Sequence, residues 1–456
     1  MEGSRTMKEI KNRVAFLTLG CKVNTYETNA MQRLFKNAGY SIVEFSDVAD
    51  IYVVNTCSVT NMADRKSRQM LHKAKKSNPE GVVVAVGCYV QSAKEKLEED
   101  TAIDVIIGNS QKHLIVPMVE KYLEDHQYKS FIVDVSKNPT YETLQIEDAG
   151  ERTRAFIKIQ DGCNQFCSYC IIPYARGRVR SRKEEDIVEE VQGLVKNGYK
   201  EIVLNGIHLS SYGADEQNKD FMRLEGKPLL HIISKINEIE GVERIRLGSL
   251  EPRVITEQFV TELKKNEKVC PHFHLSLQSG CDETLKRMNR KYTTKEYLQG
   301  CEILRKHYEH PAITTDVIVG FPAETKEEFE ITREFLEKVH FSKMHIFKYS
   351  IRQGTRAEQM KPQIADSVKA LRSNELLQLD ETLEQSYRSY FIGREEKVLF
   401  EEEVEINGEQ YYLGHNERYV KIAIPRKGNP NFFINQVVPV CVTGNLDKDI
   451  MLGKMG

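Results

Sequence analysis

Three of the ten cysteines in this 456-residue chain share one short stretch, Cys163-Asn164-Gln165-Phe166-Cys167-Ser168-Tyr169-Cys170, in the spacing C-x3-C-x2-C. Thiolates are the ligands that iron–sulfur clusters prefer. Three on one loop can hold three irons of a cubane, which leaves a fourth iron free to bind an exogenous chelate. An open coordination position marks a reactive metal site rather than a structural one. A structural zinc would need a fourth ligand, and no histidine or further cysteine lies within ten residues on either side. Three more cysteines, Cys21, Cys57 and Cys88, each follow an apolar run. They are either a second metal site or small residues buried at strand ends. Cys270, Cys281, Cys301 and Cys441 lack ligand spacing and read as ordinary core or surface residues. Just past the first triad stand Arg176, Arg178, Arg180 and Arg182. Such a run either grips nucleic-acid phosphates and bases or forms a solvated face.

The elements that must position these residues follow an alternating pattern. Residues 13 to 125 repeat a strand–loop–helix unit three times. The strands are Val14 to Leu19, Ile51 to Asn55 and Val82 to Val86, with helices from about Thr25 to Asn37, from Ala63 to Lys76 and again after Cys88. Strands that are apolar throughout imply a parallel sheet covered on both faces. Each cysteine then sits just past a strand's carboxyl end, the edge where open α/β sheets bind ligands. Residues 150 to 360 repeat the alternation six times. Candidate strands are Ala155 to Ile159, Glu201 to Leu204, Arg244 to Leu247, His272 to Leu277, Ile313 to Val319 and Met344 to Phe347. Helices such as Glu184 to Lys196 and Thr293 to His307 fall between them. Right-handed connections of this length curl the sheet into an open (β/α)6 partial barrel. Residues 365 to 390 read as one bridging helix. From about 391 to 446 four short strands, Lys397 to Glu405, Gln410 to Gly414, Tyr419 to Ile424 and Gln436 to Thr443, predict a small all-β, OB-like barrel of the kind that often handles oligonucleotides.

Composition narrows the class. The hydrophobic share is 40%, the charged share 29% and the formal net charge −2, as for a globular protein with no overall bias towards nucleic acid. From residue 393 onwards there are 8 Lys+Arg against 10 Asp+Glu, so the β-module itself is slightly acidic and can equally be structural. No apolar run approaches the roughly 18 residues of a membrane helix. No secretory signal is read at the N-terminus, where residues before about Arg13 look like a short tail. Clustered cysteines in such a chain point to metal or redox work rather than disulfides, and to the cytoplasm. No P-loop, dinucleotide glycine motif or Ser-His-Asp arrangement is present.

The triad resembles that of radical S-adenosylmethionine enzymes. In those proteins the methionine amino and carboxylate groups chelate the open iron, and reduction of the sulfonium gives a 5′-deoxyadenosyl radical. Further stretches resemble the superfamily's cofactor loops: Leu204-Asn205-Gly206, Ser249-Leu250-Glu251, His274-Leu275-Ser276-Leu277-Gln278-Ser279-Gly280 and Val317-Ile318-Val319-Gly320-Phe321-Pro322. The resemblance thus implies Asn205, Gly206, Ser249, Glu251, Gln278, Val319 and Gly320 as cofactor-binding residues. A triad barrel preceded by three rim cysteines and followed by a β-module looks like the methylthiotransferases, whose C-terminal module is the TRAM-like barrel. In that family Cys21, Cys57 and Cys88 would ligate a second [4Fe–4S] cluster that carries the sulfur to be attached, and S-adenosylmethionine serves as both methyl donor and radical source. Thr18-Leu19-Gly20-Cys21-Lys22-Val23-Asn24-Thr25-Tyr26-Glu27 and the run from Gly162 through Cys170 to Gly177 most resemble the MtaB branch. That branch methylthiolates N6-threonylcarbamoyladenosine beside the anticodon of tRNA. The resemblance implies tRNA, through its anticodon arm, as partner and a low-potential electron donor; a monomer is expected, and the short apolar runs predict no membrane partner. Tyr411, Tyr412, Tyr419, Phe432 and Phe433 are candidate stacking faces for the RNA. Alternatives are the same chemistry on isopentenyl-adenosine or on a ribosomal-protein aspartate, or a non-catalytic iron–sulfur protein that binds RNA or transfers electrons.

Overall fold

A computed structural model describes residues 13–127, 129–137, 140–148, 153–214, 224–426 and 433–455. The described chain divides into two compact units, residues 1–146 with Tyr174–Gly177, and residues 147–173 with 178–456.

The first unit is a six-stranded parallel sheet. Strands β1 (Arg13–Thr18), β2 (Ser41–Val43), β3 (Ile51–Thr56), β4 (Val82–Gly87), β5 (Val105–Ile107) and β6 (Lys129–Phe131) lie in the order β2-β1-β3-β4-β5-β6. All of β3 and β4 is buried, as near-continuous apolar runs demand of a sheet covered on both faces. Helices Lys22–Asn37 and Asn61–Ser77 match the expected ones, and Thr60 caps the second by accepting from Ala63 N–H. The third differs: two single-turn pieces, Cys88–Ser92 and Lys94–Glu98, replace one polar helix. The strand ends approach closely. A Cβ on Gly20 (φ +100°) would lie 2.8 Å from Cys57 Sγ, and one on Gly87 (φ +102°) 2.6 Å from Asn55 Oδ1. Only glycine fits both the left-handed conformation and the contact.

The second unit opens with β7 (Arg154–Asp161), β8 (Arg180–Ser181), β9 (Glu201–Gly206), β10 (Arg244–Leu247), β11 (Ser249–Leu250), β12 (His272–Leu275), β13 (Ala312–Val319) and β14 (Lys343–Lys348). They form two four-stranded sheets, β10-β9-β7-β8 and β11-β12-β13-β14. Only Gly248 separates β10 from β11, so one extended stretch pairs first with β9 and then with β12. The six expected strands are all present in this partial barrel. Thr293 and Thr325 form capping boxes on the helices Thr294–His307 and Lys326–Val339.

The helix Asp366–Ser389 leads into a closed barrel of β15 (Glu395–Ile406), β16 (Glu409–Asn416), β17 (Lys421–Pro425), β18 (Val437–Asn445) and β19 (Ile450–Met455), in the order β15-β16-β17-β19-β18. The expected boundary at 446 is therefore short by one strand. β19 pairs with both β17 and β18, and without it the barrel stays open. The barrel and the sheets above belong to one unit. Arg244 donates to the His415 and Lys397 carbonyls at 3.0 and 2.6 Å, and Arg246 to the Glu417 carbonyl at 2.9 Å. Glu201, fully buried, accepts from Arg246 Nε at 2.7 Å. Among the described residues no helix is long and apolar enough to cross a membrane.

Candidate functional site

In the second unit the loop after β7 carries the C-x3-C-x2-C triad, and backbone bonds hold it in shape. Cys170 N–H donates to the Cys167 carbonyl at 3.0 Å, Ser168 N–H to the Met288 carbonyl at 3.0 Å, and Asn289 Nδ2 to the Phe166 carbonyl at 2.9 Å. Phe166 has φ +50°, a turn that brings the thiols to one side. Cys163, Cys167 and Cys170 line a cavity of about 130 Å³ together with Gln165, Tyr169, Ser249, Glu251, Gln278, His208 and Arg290, among others. Burial, reinforced by the neighbouring Cys167, pushes the Cys163 thiol up to about 12. Arg290 Nη1 lies 3.2 Å from Cys167 Sγ and opposes that rise. Burial raises the Cys170 thiol likewise, so Cys163 and Cys170 hold their protons until a cation replaces them, which is how cysteine-rich sites couple metal uptake to proton release.

The donor set fits a cubane with one open iron, and the cavity fits a polar ligand beside it. Burial drives His208 down to about 4, with Glu251 pulling the other way and Arg290 and Arg253 assisting. The imidazole is therefore neutral. Its buried Nε2 has no hydrogen-bond partner among the described residues and stands 3.6 Å from Glu251 Oε2. Ser249 and Ser276 share a hydrogen bond of 2.7 Å at the wall. Of the cofactor residues implied by sequence, Ser249, Glu251 and Gln278 line the cavity; Asn205, Gly206, Val319 and Gly320 do not. Asn205 Nδ2 folds back on the Val203 carbonyl at 2.9 Å, Gly206 packs against Gln160, Val319 is core, and Gly320 N–H bonds Glu324 at 2.9 Å. Sequence reading missed His208 and Arg290, lone polar residues in no recognisable string.

In the first unit Cys21, Cys57 and Cys88 converge on the rim where β1, β3 and β4 end. Burial raises the Cys57 thiol to about 11, and Cys88 and Cys21 add to the rise as electrostatic neighbours. Arg176 Nε donates to Cys88 Sγ at 3.2 Å, and Arg176 Nη1 and Nη2 grip Glu27 at 2.8 and 3.1 Å. Lys112 Nζ lies 3.3 Å from the same carboxylate and 3.8 Å from Glu142 Oε2. Asn24 accepts from Arg176 Nη2 at 2.8 Å and donates to the Leu19 and Thr56 carbonyls at 2.7 and 3.0 Å. A buried, charge-balanced bed thus underlies the rim thiols.

That geometry corrects the reading of Arg176, Arg178, Arg180 and Arg182 as one phosphate-gripping row. Arg176, Arg180 and Arg182 are buried, pairing with Glu27, Asp161 and Glu190 respectively. Only Arg178 is exposed, with its guanidinium 4.5 Å from the Phe166 ring centroid. The stacking faces of the β-barrel are corrected likewise. Tyr411, Tyr412 and Phe433 are buried. Tyr419 stacks on His415 at 4.5 Å and donates no free face, since Arg154 and Arg246 lie 4.9 and 4.8 Å from its ring. Phe432 lies outside the described residues.

Comparison with known proteins agrees with both halves of this geometry. The Radical SAM superfamily model matches residues 157–336, and the model described as Uncharacterized protein family UPF0004 matches residues 13–108. The chain is 40% identical to the threonylcarbamoyladenosine tRNA methylthiotransferase MtaB of Bacillus subtilis, over 94% of this chain and 93% of that one. It is 38% identical to the MtaB of Aquifex aeolicus, over 90% and 98%. A tRNA-2-methylthio-N(6)-dimethylallyladenosine synthase of Caldicellulosiruptor saccharolyticus is 35% identical over 84% of this chain and 81% of that one. Among solved structures, the radical S-adenosylmethionine methyltransferase TsrM from Kitasatospora setae superposes with a TM-score of 0.54 over 74% of this chain and 73% of that one, at 13% identity, which is a likeness of fold. The chain belongs to the radical S-adenosylmethionine methylthiotransferase family, on its MtaB branch.

Proposed function

We propose that this protein is a tRNA methylthiotransferase that adds a methylthio group to N6-threonylcarbamoyladenosine beside the anticodon. The observation that carries the reading is the pair of cysteine triads, one on the sheet rim of the first unit and one in a cavity of the second. Cys163, Cys167 and Cys170 would hold one [4Fe–4S] cluster, and Cys21, Cys57 and Cys88 the other. When bound, the clusters and S-adenosylmethionine supply a reducing electron, a carbon radical, the sulfur and its methyl group, chemistry that no side-chain acid or base provides at an unactivated C–H. The chain's own residues bind and orient. Glu251 offers carboxylate oxygens and His208 an unpaired neutral nitrogen to the cofactor's polar groups, while Arg290 and Arg176 each donate to a ligand sulfur.

Two domain roles follow, residues 13–125 for the auxiliary cluster and 150–360 for radical generation; the β-barrel is assigned to the anticodon arm on the family resemblance alone. A low-potential electron donor and a cytoplasmic setting suit such an enzyme. The second reading, methylthiolation of dimethylallyladenosine, rests on the relatives of that name. The test is anaerobic incubation of the reconstituted protein with S-adenosylmethionine, a low-potential reductant and tRNA carrying either adenosine, followed by nucleoside mass spectrometry. The expected product is the 2-methylthio derivative of threonylcarbamoyladenosine. Modification of the dimethylallyl substrate alone, or of neither, would overturn the proposal.

A further inference from the structure

Three polar side chains on neighbouring strands take no part in either cysteine site. His274 on β12, Asp316 on β13 and His345 on β14 each bring one ligating atom to within 4.8 Å of the others. Strand register explains the meeting. His274 pairs with Thr314 and Asp316 pairs with His345, and residues two apart on a strand share a face. Thr314 Oγ1 lies 2.9 Å from His274 Nδ1, so that Nε2 faces Asp316 at 3.4 Å. The intervening Ile313, Thr315 and Val317 are buried on the opposite face. Phe347, two residues beyond His345, presents a ring that is 47% exposed. Ser249 pairs with His274, and both Ser249 and Ser276 line the cavity beside Cys163, Cys167 and Cys170. The polar cluster therefore adjoins that cavity.

We propose that His274, Asp316 and His345 form the subsite for the N6 substituent of the substrate adenosine, with Phe347 offering a face to the base. This rests on the tRNA reading above. A threonylcarbamoyl group carries urea N–H donors, a hydroxyl and a carboxylate. Asp316 can accept from the donors, and the imidazoles can pair with the hydroxyl and carboxylate. A dimethylallyl group has only carbon and hydrogen, and would cover all three side chains without pairing one. His274 and Asp316 are half-buried and His345 is exposed, so a group that covers them without pairing strips their water and gives no hydrogen bond in return, and sites built on such pairs reject analogues that lack the partner. The cluster thus discriminates between the two adenosines named among the relatives.

Two imidazoles and a carboxylate are also a donor set for a transition metal, so the test has a metal arm. kcat/KM is measured on tRNA bearing each adenosine, for the wild type and for Asp316→Leu, His345→Leu and His345→Gln, alongside Zn2+ binding. Both substrates see the same preparation, so misfolding cancels in the ratio. The preference for threonylcarbamoyladenosine should fall roughly 100-fold in Asp316→Leu and His345→Leu. His345→Gln, which keeps a hydrogen-bonding group, should retain most of it. An unchanged ratio, or a loss in His345→Gln as deep as in His345→Leu, would overturn the subsite. So would one Zn2+ per chain that disappears in His345→Leu while the ratio stays intact. A wild type inactive on both tRNAs would instead refute the function from which the subsite is inferred.

Discussion

Replacing Glu201 by Gln should destabilise the second unit by about 3 kcal/mol at neutral pH. The carboxylate is fully buried, takes Arg246 Nε at 2.7 Å and Nη2 at 3.2 Å, and stands 3.7 Å from Arg244 Nη1. Both guanidinia also hold barrel carbonyls, so Glu201 is the buried counter-charge that the two share at this junction. Burial pushes its pKa up, but Arg246 and Arg244, with Arg154 beyond them, outweigh burial and hold it at about 2 against an ordinary 4.5. A gap of about 2.5 units at 1.36 kcal/mol each gives ~3.4 kcal/mol. Removing one partner of a buried ion pair costs a similar 3–5 kcal/mol or so. The pKa is depressed by folding, so this stability is complete above about pH 4.5 and drains away as pH falls through about 2. Pulse proteolysis across a urea series suits the chain, which has no tryptophan to report unfolding. With an m-value of about 3 kcal/mol/M the midpoint should drop by about 1 M at pH 7, and the gap should shrink to less than half of that by pH 3. Equal midpoints at pH 7, or a gap that ignores pH, would refute the assignment of charge balance to Glu201.

Three further outcomes are expected. Arg176→Met should cost about 1–3 kcal/mol by leaving Glu27 with Lys112 alone as its cationic partner, and the salt slope of tRNA binding should stay put, since a buried guanidinium releases no phosphate counterion; a flattened slope would return Arg176 to the RNA interface. Ending the chain at 446 removes the strand Ile450–Met455, so limited proteolysis should cut the truncated barrel while sparing the intact one. Changing Cys21, Cys57 and Cys88 together to Ala should abolish methylthiolated product while 5′-deoxyadenosine still forms, and product from that variant would end the case for a sulfur-carrying rim site.

Much of this molecule was legible in one dimension because its strongest signals are local. The all-apolar runs of β3 and β4 need both faces covered, which specifies a parallel sheet, and the C-x3-C-x2-C spacing sits on one loop. The misreadings share a cause. The carboxylate that buries Arg176 belongs to Glu27, 149 positions away, and nothing in the arginine run announces it. Tyr411 and Tyr412 read as binding faces because aromatic residues serve cores and interfaces alike, and barrel closure decides for the core. The strand Ile450–Met455 went unseen because glycine and lysine interrupt its short apolar pattern. His208 and Arg290 reach the cavity from separate loops, so only three-dimensional closure brings them beside the thiols.

The division of labour between the two triads is tested most directly by changing Cys163, Cys167 and Cys170 together to Ala, reconstituting the protein anaerobically, and measuring iron and 5′-deoxyadenosine. About half of the wild-type iron should remain, held at Cys21, Cys57 and Cys88, and cleavage of S-adenosylmethionine should be lost. Retained cleavage in that variant would contradict the placing of radical generation at this loop.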